Sequence, residues 1–93
     1  MRRRFIVRGR VQGVNFRANA AERAAGLGLT GRIWNRDDGA VELVAEGEAA
    51  ALERFAGWLR EGPRLAQVTA VEATDLVGDP RYGDFRISWD AAE

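Results

Sequence analysis

The chain has no cysteine, no histidine and no lysine, and Ser88 is its only serine. Each absence removes a class of chemistry. Without Cys or His there is neither a disulfide framework nor a structural zinc site of the usual donor set. Cys–His and Ser–His–Asp nucleophile systems, Schiff-base lysines and phosphohistidine are excluded as well. Any catalysis must use carboxylates, arginine, side-chain amides, backbone N–H groups or a borrowed metal. The missing lysine, in a chain rich in Ala, Gly and Arg, reads as codon bias. Long hydrophobic runs are also absent, and nothing approaches the ~20 apolar residues that cross a bilayer. The basic opening "MRRRFIVRGR" lacks an apolar stretch behind it because Arg8 and Arg10 interrupt. The expectation is a cytoplasmic protein with no leader and no membrane partner.

What is present fits one globular domain over 1–93, with 46% apolar and 30% charged residues and room for one core. The net charge is zero but unevenly spread. Residues 1–36 hold nine arginines and one acid, a net of +8, and residues 37–93 hold five arginines and thirteen acids, a net of −8. Two readings follow: the halves pair across the fold, or the first third holds an anion site.

Periodicity orders the elements. "RRFIVRGRV" alternates as a strand, with Arg2–Arg4 as a frayed, solvated start. Phe16, Ala20, Ala24 and Leu27 have helical spacing, with Gly26 and Gly28 as the stop. "LTGRIWN" is β-rich, and "RDDG" at 36–39 signals a hairpin into the alternating Val41, Leu43 and Ala45. Leu52, Phe55 and Leu59 mark a second helix ended by Gly62-Pro63. "QVTAVEATDL" slips phase between Val68 and Val71, which predicts a bulge or a late start. Phe85, Ile87 and Trp89 alternate in a short last strand. The aromatics Phe16, Phe55, Trp58, Phe85 and Trp89 read as core or half-core, and Asp37 and Asp38 as a solvated turn.

The order β-α-β-β-α-β plus a short strand implies an α+β, ferredoxin-like sandwich. Its mixed sheet has both helices on one face, and the third strand is inserted between the first and second. The first two strands then run the same way, so the loop at 12–17 and Asn35 meet at one edge.

That loop lies between a strand end and a helix start. The backbone N–H groups of Gln12, Gly13, Val14, Asn15 and Phe16 can form a concave nest there, helped by the positive end of the helix dipole. Gly13 permits a backbone angle denied to other residues. Arg17, in the first helical turn, opposes the dipole unless an anion is bound. It is not a Walker A loop, since the Gly-Lys-Ser/Thr ending is missing. From these residues alone the segment is either a phosphate cradle or a plain connection, and Asn35 is either a site residue or turn chemistry.

The two segments "GRVQGVNFR" and "GRIWNRDDGAVE" resemble the signatures of the acylphosphatase family, G-x-V-Q-G-V-x-F-R and G-x-V-x-N-x-x-x-G-x-V-E. Matching positions in the first are Gly9, Val11, Gln12, Gly13, Val14, Phe16 and Arg17. In the second they are Gly31, Asn35, Gly39, Val41 and Glu42, with Ile33 a conservative change. Asn15 falls at a variable position. Trp34 stands where the family usually has a basic or polar residue, with packing or substrate approach as its expected effect. The resemblance implies a metal-independent, cofactor-free monomer that hydrolyses small acyl phosphates, with Arg17 binding phosphate and Asn35 orienting the attacking water.

The rival reading is a non-catalytic ferredoxin-like nucleic-acid-binding module, favoured by the basic first third. The chain lacks the K/R-G-F/Y-G/A-F-V-x-F/Y signature, and it offers Glu42, Glu46 and Glu72 on strands where stacking aromatics would be wanted. No nucleic-acid partner is therefore expected.

Overall fold

The structure is a computed structural model and describes residues 1–89; the last four residues of the expected domain, 90–93, lie outside the described residues. Five strands and two helices follow in the order β1 (Arg2–Arg10), α1 (Phe16–Gly26), β2 (Thr30–Asn35), β3 (Val41–Glu46), α2 (Ala49–Glu61), β4 (Gln67–Leu76) and β5 (Phe85–Ile87). They build one mixed sheet of order β4-β1-β3-β2-β5. All pairs are antiparallel except β2–β5. This is the ferredoxin-like arrangement, with β3 between β1 and β2.

Strand parity decides what each face carries. Phe5 and Val7 on β1, Ile33 on β2, and Val41, Leu43 and Ala45 on β3 are buried with Phe16, Ala20 and Ala24 of α1 and Leu52, Phe55 and Leu59 of α2. Aromatic rings join the layers: Phe55 stacks parallel to Trp58 at 6.2 Å and meets Phe5 and Phe85 edge-on at 6.2 and 6.0 Å. Such contacts add about 0.5–1.5 kcal/mol each beyond burial. The opposite face is a lattice of ions, in which Glu42 binds both Arg4 and Arg36 and Arg8 binds Glu72 and Asp38.

The expected bulge is present. Arg8 faces Ala70 but Gly9 faces Val68, so Thr69 is an extra residue on β4. Val68 and Val71 thereby both turn toward the core. Gly9 sits at φ 124°, and a side-chain carbon there would stand 2.1 Å from the Gln67 carbonyl oxygen. Only glycine fits that approach.

Two expectations are overturned. Arg2–Arg4 is paired strand, not a frayed start: Arg2 is only 5% exposed and its Nε donates to Glu46 at 2.7 Å. Arg3 binds Asp75 and Glu53. These acids are supplied by β3, α2 and β4, which draw the basic strand into the sheet centre. Trp89 is not core: β5 ends at Ile87, and the indole is 81% exposed. The alternation of Phe85, Ile87 and Trp89 outlasts the pairing, because β5 faces only Gly31–Ile33 of β2.

Glu46 is 1% exposed and anchors the crossing from β4 to β5. Its carboxylate accepts from Arg2, from the Arg81 amide at 2.9 Å and from the Tyr82 amide at 3.0 Å. Arg2 also donates to the Val77 carbonyl at 3.1 Å. Burial pushes the Glu46 carboxyl up, but the Arg2 guanidinium and the two amides outweigh it and hold it below its ordinary value. Among the described residues, no helix is long and apolar enough to cross a membrane.

Candidate active site

The right-handed crossover puts the C-terminal ends of β1, β2 and β5 at one edge, beside the start of α1. A pocket of about 210 Å³ opens there, bordered by Gly13, Asn15, Phe16 and Arg17 from the loop and helix, by Asn35 from β2, and by Ile87 from β5. Asn35 faces Val41 in the β2–β3 register, so it shares the helix-covered face of the sheet. This parity brings it to Arg17, as the topology predicted.

The loop reverses direction in four residues. Gly13 has φ 76°, and Asn15 lies in the left-handed region at φ 62°, ψ 27°. A side chain on Gly13 would meet nothing within 4 Å, so its requirement is the backbone angle rather than space. Asn15 is the one non-glycine residue with positive φ among the described residues, a conformation asparagine tolerates better than most. The variable position in the signature therefore has a structural duty that its variability hid, and asparagine's ease in that conformation was the available signal. Left-handed residues in a turn aim successive N–H groups to one side, the geometry of an anion nest.

Helix α1 begins with no acid in its first turn. Its first backbone bond is from the Asn19 amide to the Asn15 carbonyl, 3.1 Å, which leaves the amides of Phe16, Arg17 and Ala18 without intrahelical acceptors. Arg17 adds a full positive charge to that end. The two features together make a strongly anion-attracting corner.

Asn35 contributes a different feature. Its Oδ1 is buried and has no hydrogen-bond partner among the described residues. A buried amide oxygen left unmatched costs about 1–3 kcal/mol. Such an acceptor at a pocket wall suits the O–H of a bound water.

Of the sequence-predicted residues, Gly13, Asn15, Phe16, Arg17 and Asn35 border the pocket, and Gln12 and Val14 do not. Gln12 instead clamps the loop to the β2–β3 hairpin, its Nε2 donating to the Arg36 and Ala40 carbonyls at 2.8 and 2.9 Å. Val14 packs on the core. Asp38 caps the hairpin by accepting from the Ala40 amide at 3.1 Å. The Arg36 guanidinium foremost, with that amide, lowers the Asp38 carboxyl to about 2, so the turn stays ionised at any working pH. Trp34 faces Glu42 on the outer side of the sheet and is only 3% exposed.

Trp89 is a neighbour of Arg17 that sequence reasoning missed. The Arg17 guanidinium carbon lies 4.9 Å from the centre of the indole. A tryptophan in an alternating terminal stretch reads as core; that β5 stops at Ile87, two residues short of it, was visible only once register is known.

Comparison with known proteins gives the chain a lineage. The family model for acylphosphatase matches residues 3–87. An acylphosphatase of Methylococcus capsulatus is 45% identical over 82 residues, covering 88% of this chain and 89% of the relative. One from Shewanella amazonensis is 47% identical over 89 residues, covering 95% and 98%. The crystal structure of acylphosphatase from Bacillus subtilis superposes with a TM-score of 0.91 at 38% identity, covering 95% of this chain and 98% of that one. Matches of this length leave neither helix and no paired strand of the sheet outside them, and the chain belongs to the acylphosphatase family.

Proposed function

We propose that the chain hydrolyses the carboxyl–phosphate bond of acyl phosphates to a carboxylate and inorganic phosphate, with Arg17 and the 12–17 loop holding the phosphoryl group and Asn35 placing the water. The observation that carries this assignment is the buried, unmatched Oδ1 of Asn35 in the wall of the same pocket as Arg17.

The chemistry asks little of the protein. A water oxygen attacks phosphorus, the bond from phosphorus to the acyl oxygen breaks with its electron pair, and the carboxylate departs as a stable anion. No general acid is required. The water's proton passes to a phosphoryl oxygen of the substrate. Phosphoryl transfer has a loose transition state, so positioning and charge stabilisation do most of the work. A guanidinium offers its fork to two phosphoryl oxygens, and the loop amides meet the remaining one. The mechanism involves no metal. Both working residues come from one chain, so the same reading has the monomer as the active unit.

Hydrolysis of benzoyl phosphate in EDTA tests the assignment, with wild type beside Arg17→Ala and Asn35→Ala. Losing a preorganised donor lowers rates by about 10²–10³. Arg17→Ala is expected to impair KM and kcat together, because it meets phosphate in both ground and transition states. Asn35→Ala is expected to lower kcat with KM little changed. A raised KM at intact kcat in Asn35→Ala would reverse the role given to Asn35, and an inactive, folded wild type would retire the enzyme reading.

A further inference from the structure

Trp89 is an exposed indole whose ring centre lies 4.9 Å from the guanidinium carbon of Arg17, a residue that borders the proposed phosphate pocket. Large aromatic side chains are costly to leave in water, and this one lies outside the family's two signatures. The Arg17 guanidinium carbon lies over the indole ring, and a guanidinium packed on an aromatic face can still turn its in-plane N–H donors toward phosphoryl oxygens. An acyl group is one bond away from the phosphoryl group that Arg17 would hold. It therefore comes within reach of an indole whose ring centre is already 4.9 Å from that guanidinium.

The ground around the indole has a definite character. Asn35 also borders a second depression of about 480 Å³, which runs along Trp34, Arg36, Glu42 and Trp89. Arg36 is the one cation bordering it among the described residues. Its Nε and Nη2 donate to Asp38 and its Nη1 to Glu42, at 2.8–3.2 Å. That guanidinium is committed on all three nitrogens. A second anionic group on the acyl portion finds carboxylates there and no free cation, whereas a flat, uncharged group finds the indole face.

Resting on the acyl phosphate reading above, we infer that Trp89 is the acyl-recognition residue of this site, selecting acyl phosphates with a flat, uncharged acyl group over those that carry a second anion.

The test compares kcat/KM for benzoyl, acetyl and succinyl phosphate in wild type, Trp89→Ala and Trp89→Phe, with inhibition by inorganic phosphate measured alongside. Ratios between substrates, compared across the three proteins, cancel the intrinsic reactivity of each anhydride. Trp89→Ala is expected to reduce the benzoyl-to-acetyl ratio about threefold to tenfold, the worth of one aromatic contact, and Trp89→Phe to restore most of it. The succinyl-to-acetyl ratio is expected to stay low in wild type and to gain nothing from the indole. If Trp89→Ala weakens all three substrates equally and raises the inhibition constant for phosphate in parallel, the indole only orients Arg17 and the acyl-recognition role is overturned. If wild type hydrolyses none of the three, the acyl phosphate reading itself has failed, an outcome distinct from unchanged ratios in an active enzyme. The exposed position of Trp89 means that the fold does not depend on the side chain being replaced.

Discussion

Arg17 and Asn35 differ in what the chain has already done for them. Arg17 is charged, set over an indole and placed at a helix end that repels it; Asn35 presents a buried oxygen with nothing bonded to it among the described residues. In the function proposed above, an anion and a water relieve both. Local discomfort of this kind is typical of sites that are preorganised rather than merely stable. Asn15 belongs to the same group, since its left-handed backbone is what aims the loop inward. Asn15→Gly is expected to retain stability and activity. Asn15→Val should lose about 1–2 kcal/mol, because a branched side chain is strained there. In a domain of this size that is a fall in Tm of at least ~4 °C. Thermal melts and kcat for the two variants check this; equal melting of both would mean that the backbone angle carries no strain.

At the scale of elements, the crossing from β4 to β5 depends on Glu46. Removing one partner of a buried ion pair costs about 3–5 kcal/mol, so Glu46→Gln is expected to melt far below wild type at neutral pH. The folded state holds this carboxyl below its ordinary value of 4.5. Its contribution is therefore complete above that pH and drains away as the pH falls below it. Wild-type stability should drop as the pH falls below 4.5, whereas Glu46→Gln should be flatter there. Melting curves from pH 7 to pH 3 decide, and parallel curves would remove Glu46 from its anchoring role.

The same elements show what a sequence can carry. The helices, the hairpin and the bulge were legible because each is written within ten or so neighbouring residues: Val68 and Val71 out of phase, Asp38-Gly39 before an alternating run. Arg2, Arg3 and Arg4 were not, since their partners are Glu46, Glu53, Asp75 and Glu42, between 38 and 72 positions away. The site divides in the same way. Arg17 and Asn35 stood in recognisable segments, and topology brought them together. Trp89 required register, and Gln12 required knowing that the hairpin carbonyls of Arg36 and Ala40 lie within its reach.

For the whole molecule, the pocket draws on three distant stretches: the loop after β1, the end of β2 and the end of β5. No pair of neighbouring elements holds it complete. β5 has only three residues and pairs with β2 alone. Assembly of the site therefore waits for Phe85–Ile87 to pair with Gly31–Ile33, 54 positions earlier, and loop-closure entropy makes a pairing that distant slow to form. Turnover should thus serve as a clock for the end of refolding. After dilution from denaturant, helical circular dichroism is expected to recover with or before hydrolytic activity and never after it. Activity returning first would mean that the catalytic edge forms without β5, a hierarchy opposite to the one drawn by this sheet.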